Sequence, residues 1–313
     1  TWAYYLMVRH LALFDETPYD SVLINGMVLG ADGRKMSKSL GNFVSSPEVF
    51  SKHGCDAPRQ WAAAGGSTGT DIPFRWEDVE YGWRFMRKLW NACRFASMRL
   101  EDYDPAMDAE PRLLDRWITS KLQRTIKRAT EAMEACDFMN ATEAARNFIW
   151  HTFCDDYLEA AKTRLYGDGD GKIAAQHTLY TTVASMLKLM APITPHLTEE
   201  MWRTMYDPDT SINVSPWPEY DESQVDEEAE RTGDMVIAVI REMRREKNRA
   251  GISLNAPLKR AEVYAPAEQL GHIKLGKQDI LDTLKIEELV LVEGQGRGLK
   301  VEGYPDIGFT VTV

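Results

Sequence analysis

Two lysines three positions apart, Lys35 and Lys38, alternate with Met36, Ser37 and Ser39 in a stretch bounded by Gly33 and Gly41. An ammonium group on a flexible stem is a point charge that follows phosphate oxygens as their charge moves during a reaction. The serines add hydroxyls, and the glycines let the backbone swing. Such a set suits phosphoryl or nucleotidyl transfer, although Lys and Ser are equally the stock of any exposed loop. The flanking elements decide between the two. Residues 21–30 form an apolar, partly β-branched run that stops at Ala31-Asp32-Gly33, which predicts a buried strand running into an exposed turn. Ligands of doubly wound sheets bind beyond the carboxyl ends of strands, where this order puts the lysines. Behind them, Ser46 and Pro47 open a short helix that Gly54 closes, and Asp56 caps a second one carrying Trp61.

The rest of the chain reads as helices. A Gly/Ser/Thr-rich connector at 65–70 leads into a long helix from about 77 to 100. Ile118, Leu122, Ile126, Ala129 and Met133 then share one helix face, and Phe138, Ala141, Ala145, Phe148 and Thr152 share another. Ile173, Gln176, Tyr180, Val183, Leu187 and Met190 form a third stripe, and Thr194-Pro195 opens a fourth helix. Successive amphipathic helices imply a bundle. The Pro-rich turn at 215–218 and the acidic run at 221–230 end it. A helix at about 232–249 and short strands at 262–264, 288–292 and 308–313 follow, separated by Gly-rich turns. The expected fold is mainly α in three units: 1–76 with the lysine loop and connector, 77–220 as the helical bundle, and 221–313 as a small α+β domain.

Composition narrows the function classes. A chain of 313 residues with 44% hydrophobic and 27% charged residues is globular, and no apolar run is long enough to span a bilayer. Neither membrane nor DNA contact is expected. The cysteines at 55, 93, 136 and 154 form no C-x-x-C pair, so reduced thiols, a cytoplasmic setting and no bound metal are expected. The net charge of −11 excludes a uniformly basic surface, but the positive charge is concentrated. Residues 112–128 hold six Lys or Arg against one acid, and residues 241–260 hold seven against two. Each stretch is either a solvated helix face or a surface for nucleic-acid phosphates. Arg112, Arg116, Lys121, Arg124, Arg241, Arg244 and Arg245 are the candidates for the second role.

The stretch Gly33-Arg34-Lys35-Met36-Ser37-Lys38-Ser39-Leu40-Gly41-Asn42 resembles the second, KMSKS, signature of class I aminoacyl-tRNA synthetases. Signature, connector and bundle also follow that family's order. The resemblance implies the end of a Rossmann-type catalytic domain, an anticodon-binding helical bundle and a C-terminal α+β domain. It implies catalytic roles for Lys35 and Lys38, which would hold the β- and γ-phosphates of ATP while the amino-acid carboxylate attacks the α-phosphorus. Met36, Ser37 and Ser39 complete the ATP-binding set, magnesium arrives with ATP, and residues 27–29 lie near the adenine. Within the class, residues 70–74, 81–82, 88–92, 153–159, 191–200, 217–218 and 247–259 resemble the valyl enzymes of archaeal type. Isoleucyl and leucyl enzymes, which share the bundle pattern, are the alternatives. The family's first signature, His-x-Gly-His, does not occur, and Gly271-His272-Ile273-Lys274 echoes it in the wrong place. The expectation is therefore a C-terminal part of a valine-specific ligase, inactive alone and partnered by tRNA, that of valine first. ATP and valine would serve the complete enzyme. The rival reading is a stand-alone RNA-binding module, or a paralogue that uses the bundle for protein contacts.

Overall fold

A buried strand needs covered neighbours, and the apolar run at 21–30 does not have them. The computed structural model describes residues 2–107 and 109–312. Thr1 and Val313, the second of which ends the strand expected at 308–313, lie outside the described residues. Helix α1 (Trp2–Phe14) is followed by strand β1 (Val28–Leu29), which pairs in parallel with β2 (Ile72–Pro73). Only those two residues of the apolar run are strand, and Val22, Leu23 and Ile24 are exposed. Strands that are buried on both faces belong to wider sheets with helices above and below. Among the described residues β1 has β2 alone.

Between them stand α2 (Ser46–His53) and α3 (Asp56–Ala64). Helix α2 begins at Ser46 itself, so the N-cap falls one residue earlier, at Ser45, with Pro47 in the first turn and Gly54 at φ 71° closing it. The bundle follows as α4 (Trp76–Arg99), α5 (Leu113–Glu134), α6 (Phe138–Asn147), α7 (Leu158–Tyr166), α8 (Asp170–Met190) and α9 (Pro195–Met205). A π-helical stretch, Phe148–Tyr157, joins α6 to α7 without a break. Of the stripe residues, Ile118 and Ile126 of the first, Ala141, Ala145 and Phe148 of the second, and Val183 and Leu187 of the third are buried, and Phe85 and Leu89 of α4, Phe153, Tyr157 and Leu179 join them in the core. Asp56 does not cap its own helix. Its carboxylate accepts from the backbone of His196 (3.4 Å) and Leu197 (2.8 Å) at the start of α9, where the helix dipole favours an anion. Arg59 donates to the carbonyls of Pro192 (2.9 Å) and Ile193 (3.1 Å). These contacts fasten the lysine-loop portion to the bundle.

Helix α10 (Glu227–Arg249) connects the bundle to the last unit. Asp226 caps it by accepting from the Ala229 amide (2.8 Å), with Glu227, Glu228 and Glu230 in its first turn and Lys247 and Arg249 in its last, as the helix dipole favours. It approaches α5 so closely that a Cβ on Gly233 would lie 2.4 Å from the Trp117 ring. Beyond it come β3 (Leu258–Ala265), α11 (Ala267–Leu275), α12 (Lys277–Leu284), β4 (Ile286–Glu293), β5 (Leu299–Val301) and β6 (Tyr304–Thr312). They form a four-stranded sheet in the order β4-β3-β6-β5, with β3 parallel to β4 and antiparallel to β6. Val263, Leu289, Ile307 and Phe309 fill the buried side of this sheet. Among the described residues no helix is long and apolar enough to cross a membrane.

Candidate active-site loop and nucleic-acid interface

The lysine loop leaves β1 as a tight turn: Gly33 donates to the Gly30 carbonyl (2.9 Å) and Gly30 to that of Arg34 (2.8 Å). Asp32 organises the turn, and the Arg34 backbone amide and guanidinium beside it hold its carboxyl below the usual carboxylate range. Met36 turns inward and packs against the core, whereas Lys35 and Lys38 on either side of it face solvent. An apolar anchor between two cations is a simple way to aim both outward. A single 3-10 turn, Lys38–Leu40, ends at Gly41, whose φ of 68° suits glycine. The Ser37 and Ser39 hydroxyls lie 2.8 Å apart. Among the described residues neither lysine has an ion-pair partner; the nearest aromatic to Lys38 is Phe43, with its ring centroid 5.7 Å away. Two unpaired ammonium groups within one short loop can receive a polyanion without first breaking another pair.

The seven basic candidates behave differently, since each already has an acidic partner. Arg112 pairs with Asp282 (2.8 Å), Arg116 with Asp226 (3.3 Å), and Lys121 with Asp234 (2.8 Å). Arg124 holds Glu227 (3.2 Å) and Glu230 (2.6 Å). Arg241 grips Asp156 in a two-pronged contact, Arg244 meets Glu159 (2.9 Å), and Arg245 joins Glu242 and Glu302 (2.6 Å). Burial pushes the Asp156 carboxyl up, against the opposing pull of Arg241. Most of these pairs cross between helices, so one task of the basic residues is to knit α5, α10 and α7 together.

Position separates them further. Lys121, Arg124 and Arg128 recur along one face of α5 and line a cleft of about 400 Å³ with Asn147, His151 and Thr152. Lys121 and Thr152 also line an adjoining cleft of about 280 Å³ that includes Arg241, Glu302 and Tyr304. The structure thus brings Lys121, Arg124 and Arg241 into one groove, although α5 and α10 are far apart in sequence. Arg116 faces a different cleft, beside His177 and Lys188, and Arg244 a third, beside Lys162 and Lys285. The Arg124 and Arg241 side chains are 44% and 53% exposed, but their partners Glu230 and Asp156 are only 14% and 2% exposed, so a phosphate that drew either arginine away would leave a largely buried carboxylate without its cation.

One basic stripe escapes local charge counting. Arg84, Arg87, Asn91 and Arg94 are exposed on one face of α4, with the Arg87 guanidinium 4.7 Å from the Trp83 ring centroid. Their three-and-four spacing is the available signal, diluted in sequence by the buried residues between them. Trp90 is 39% exposed on the same side. Phe153 and Tyr157, by contrast, are fully buried core anchors.

Residues 1–75 match the family model described as tRNA synthetases class I (I, L, M and V), and residues 115–263 match that of the anticodon-binding domain of tRNA ligase. Valine--tRNA ligase of Methanothermobacter thermautotrophicus is 44% identical over 297 residues, 94% of this chain and 33% of its own length. The enzyme of the same name from Thermococcus kodakarensis is 44% identical over 302 residues, again 94% of this chain and 34% of its own. The chain belongs to the valine–tRNA ligase family of class I synthetases. It spans about a third of the length of the curated relatives it matches. Among solved structures, the LeuRS-tRNA-LeuAMS ternary complex of Agrobacterium radiobacter K84 aligns with a TM-score of 0.56 at 22% identity, over 72% of this chain and 27% of that one. At that identity the likeness concerns the fold alone.

Proposed function

We propose that this chain supplies the lysine loop and the tRNA-binding bundle of a valine–tRNA ligase, working in the cytoplasm. The observation that carries the reading is the loop itself, in which Met36 is anchored inward and Lys35 and Lys38 stand unpaired in solvent among the described residues. MgATP enters as substrate. A valine carboxylate oxygen attacks the α-phosphorus, the bond to the β-phosphate oxygen breaks, and pyrophosphate leaves. Lys38 and Lys35 neutralise charge on the departing β- and γ-phosphates, and Ser37 and Ser39 contribute hydroxyls and amides. A hydroxyl of the terminal ribose of the valine tRNA then attacks the activated carboxyl carbon, and AMP leaves. The three-unit division at 76 and 220 fits this reading: loop and connector, anticodon bundle, and a terminal α+β domain.

In the same reading the tRNA runs along the groove of α5 and α10. Lys121, Arg124 and Arg241, joined by Arg128, meet its phosphates, which supply most of the affinity of such contacts. Arg112, Arg116, Arg244 and Arg245 complete the candidate set outside that groove, where their ion pairs join the elements around it. The test of the loop is Lys38→Ala in the complete gene product, followed by ATP–pyrophosphate exchange. Loss of one preorganised donor to a transition state lowers the rate by about 100- to 1,000-fold. An unchanged rate refutes the assignment. The 313 residues alone are expected to give no exchange, and robust exchange by them contradicts the need for a His-x-Gly-His loop supplied elsewhere.

A further inference from the structure

The lysine loop is bracketed by two residues that touch each other. Asp32 immediately precedes Gly33, and Asn42 immediately follows Gly41; the two glycines have φ of 73° and 68° with open space where a Cβ would lie. Asn42 reaches across the base of the loop. Its Nδ2 donates to the Asp32 carboxylate (3.2 and 3.4 Å) and to the Lys35 carbonyl (3.3 Å), and its Oδ1 accepts from the Ser37 amide (2.8 Å). Only one orientation of the amide satisfies these partners, because a carboxylate and a carbonyl require a donor and a backbone amide requires an acceptor. Asp32 in turn accepts from the Arg34 amide (3.1 Å) and from Arg34 Nε (2.8 Å). Gly30 leaves room for the pair: a Cβ there would lie 2.8 Å from Asn42 Nδ2 and 2.8 Å from an Asp32 carboxylate oxygen.

We propose that Asp32 and Asn42 form a latch that closes the base of the lysine loop, and that both are positioning residues which set where Lys35 and Lys38 meet the phosphates. The proposal rests on the reading of the loop as the ATP-phosphate binder. The two glycines alone would let residues 33–41 swing as a flap. The latch joins the flap's two ends, and through Ser37 and Lys35 it fixes the backbone directly beside each lysine. It costs nothing in charge to the lysines themselves, because Arg34 and Asn42, not Lys35 or Lys38, satisfy the Asp32 carboxylate. Its contribution appears in the transition state, where lysine position matters most, more than in ground-state ATP binding.

The test uses charge exchange across the latch. Asn42→Asp sets two carboxylates against each other, and the double variant Asp32→Asn with Asn42→Asp restores one donor and one acceptor. In the 313-residue chain, hydrogen exchange at the amides of Arg34 and Ser37 should speed up at least about tenfold in Asn42→Asp and return towards wild type in the double variant, with the bundle amides unchanged. In the complete gene product, kcat for ATP–pyrophosphate exchange should fall about tenfold or more in Asn42→Asp while KM for ATP stays within about twofold, and the double variant should recover most of it. Gly30→Ala, which wedges the pair apart without touching either side chain's charge, should reproduce the kcat loss and keeps the test valid if Asn42→Asp misfolds. Wild-type exchange and wild-type kcat in both Asn42→Asp and Gly30→Ala, or a double variant no better than Asn42→Asp, overturn the latch. If Lys38→Ala also leaves pyrophosphate exchange intact, it is the reading of the loop that has failed, and the hydrogen-exchange comparison still judges the latch.

Discussion

Removing the Arg164 guanidinium should be among the most damaging single changes to the bundle. Arg164 of α7 donates to both oxygens of Asp115 in α5, at 2.6 and 2.8 Å. The Tyr157 hydroxyl (2.7 Å) and the Arg112 amide (3.0 Å) donate to the same carboxylate. The Arg164 and Asp115 side chains are 3% and 0% exposed, so solvent cannot replace a lost partner. Arg164→Met keeps much of the volume but leaves Asp115 as a buried charge with two neutral donors, a situation that costs about 3–5 kcal/mol. At about 2–4 °C per kcal/mol for a domain of this size, the melting temperature followed by circular dichroism should fall by about 6–20 °C. The double variant Asp115→Asn with Arg164→Met should recover a good part of that loss, because the stranded charge has gone. A loss below about 1 kcal/mol in Arg164→Met, or a double variant as unstable as the two single changes combined, refutes the reasoning.

Three further expectations follow from the same physical reading. Burial raises the Asp279 carboxyl of α12 to about 6 from its ordinary 3.8, so the folded protein resists its ionisation more than the unfolded chain does. Stability that is full below about pH 4 is therefore lost as pH rises through 6, by about 3 kcal/mol, and Asp279→Asn should remove this slope in denaturant titrations from pH 4 to 7; an unchanged slope assigns it to other groups. Lys121→Glu with Arg128→Glu should weaken tRNA binding and flatten its dependence on salt by about one to two counter-ions' worth, and an unchanged salt slope removes the α5 groove from the interface. Gly233→Ala should destabilise by about 1–3 kcal/mol in chemical denaturation, since its methyl meets Trp117, whereas a neutral effect shows that α5 and α10 can part without cost.

The parts legible in sequence are those that depend on near neighbours. Ile118, Leu122, Ile126 and Ala129 lie on one helical face because period alone places them, and all are buried. Thr194 and Pro195 do mark the start of α9, with Pro195 at its first position, although the Thr194 hydroxyl donates to the Met190 carbonyl and caps nothing. The lysine loop was legible as a motif, and its flanking Gly33 and Gly41 do take positive φ. Long-range partners were not legible. The acids that neutralise Lys121 and Arg124 lie on α10, more than a hundred residues on, so a local count registers a basic patch where the structure has ion pairs. Asp56 caps a helix 140 residues away, a partner that no window around Asp56 contains. The π-helical stretch Phe148–Tyr157, which packs against α4 and α5, interrupts the α-helical period of the α6 stripe, and no residue in it announces the change. The latch is intermediate: Asp32 and Asn42 are adjacent to the glycines in sequence, but their contact needs the loop to be folded.

The measurement that bears most directly on the whole account is filter binding of the 313-residue chain to purified tRNAs for valine, isoleucine and leucine at one fixed salt concentration. If the bundle is that of a valine–tRNA ligase, the valine tRNA should bind at least about tenfold more tightly than the other two, a difference of about 1.4 kcal/mol. Equal binding to all three, or binding to none, contradicts it.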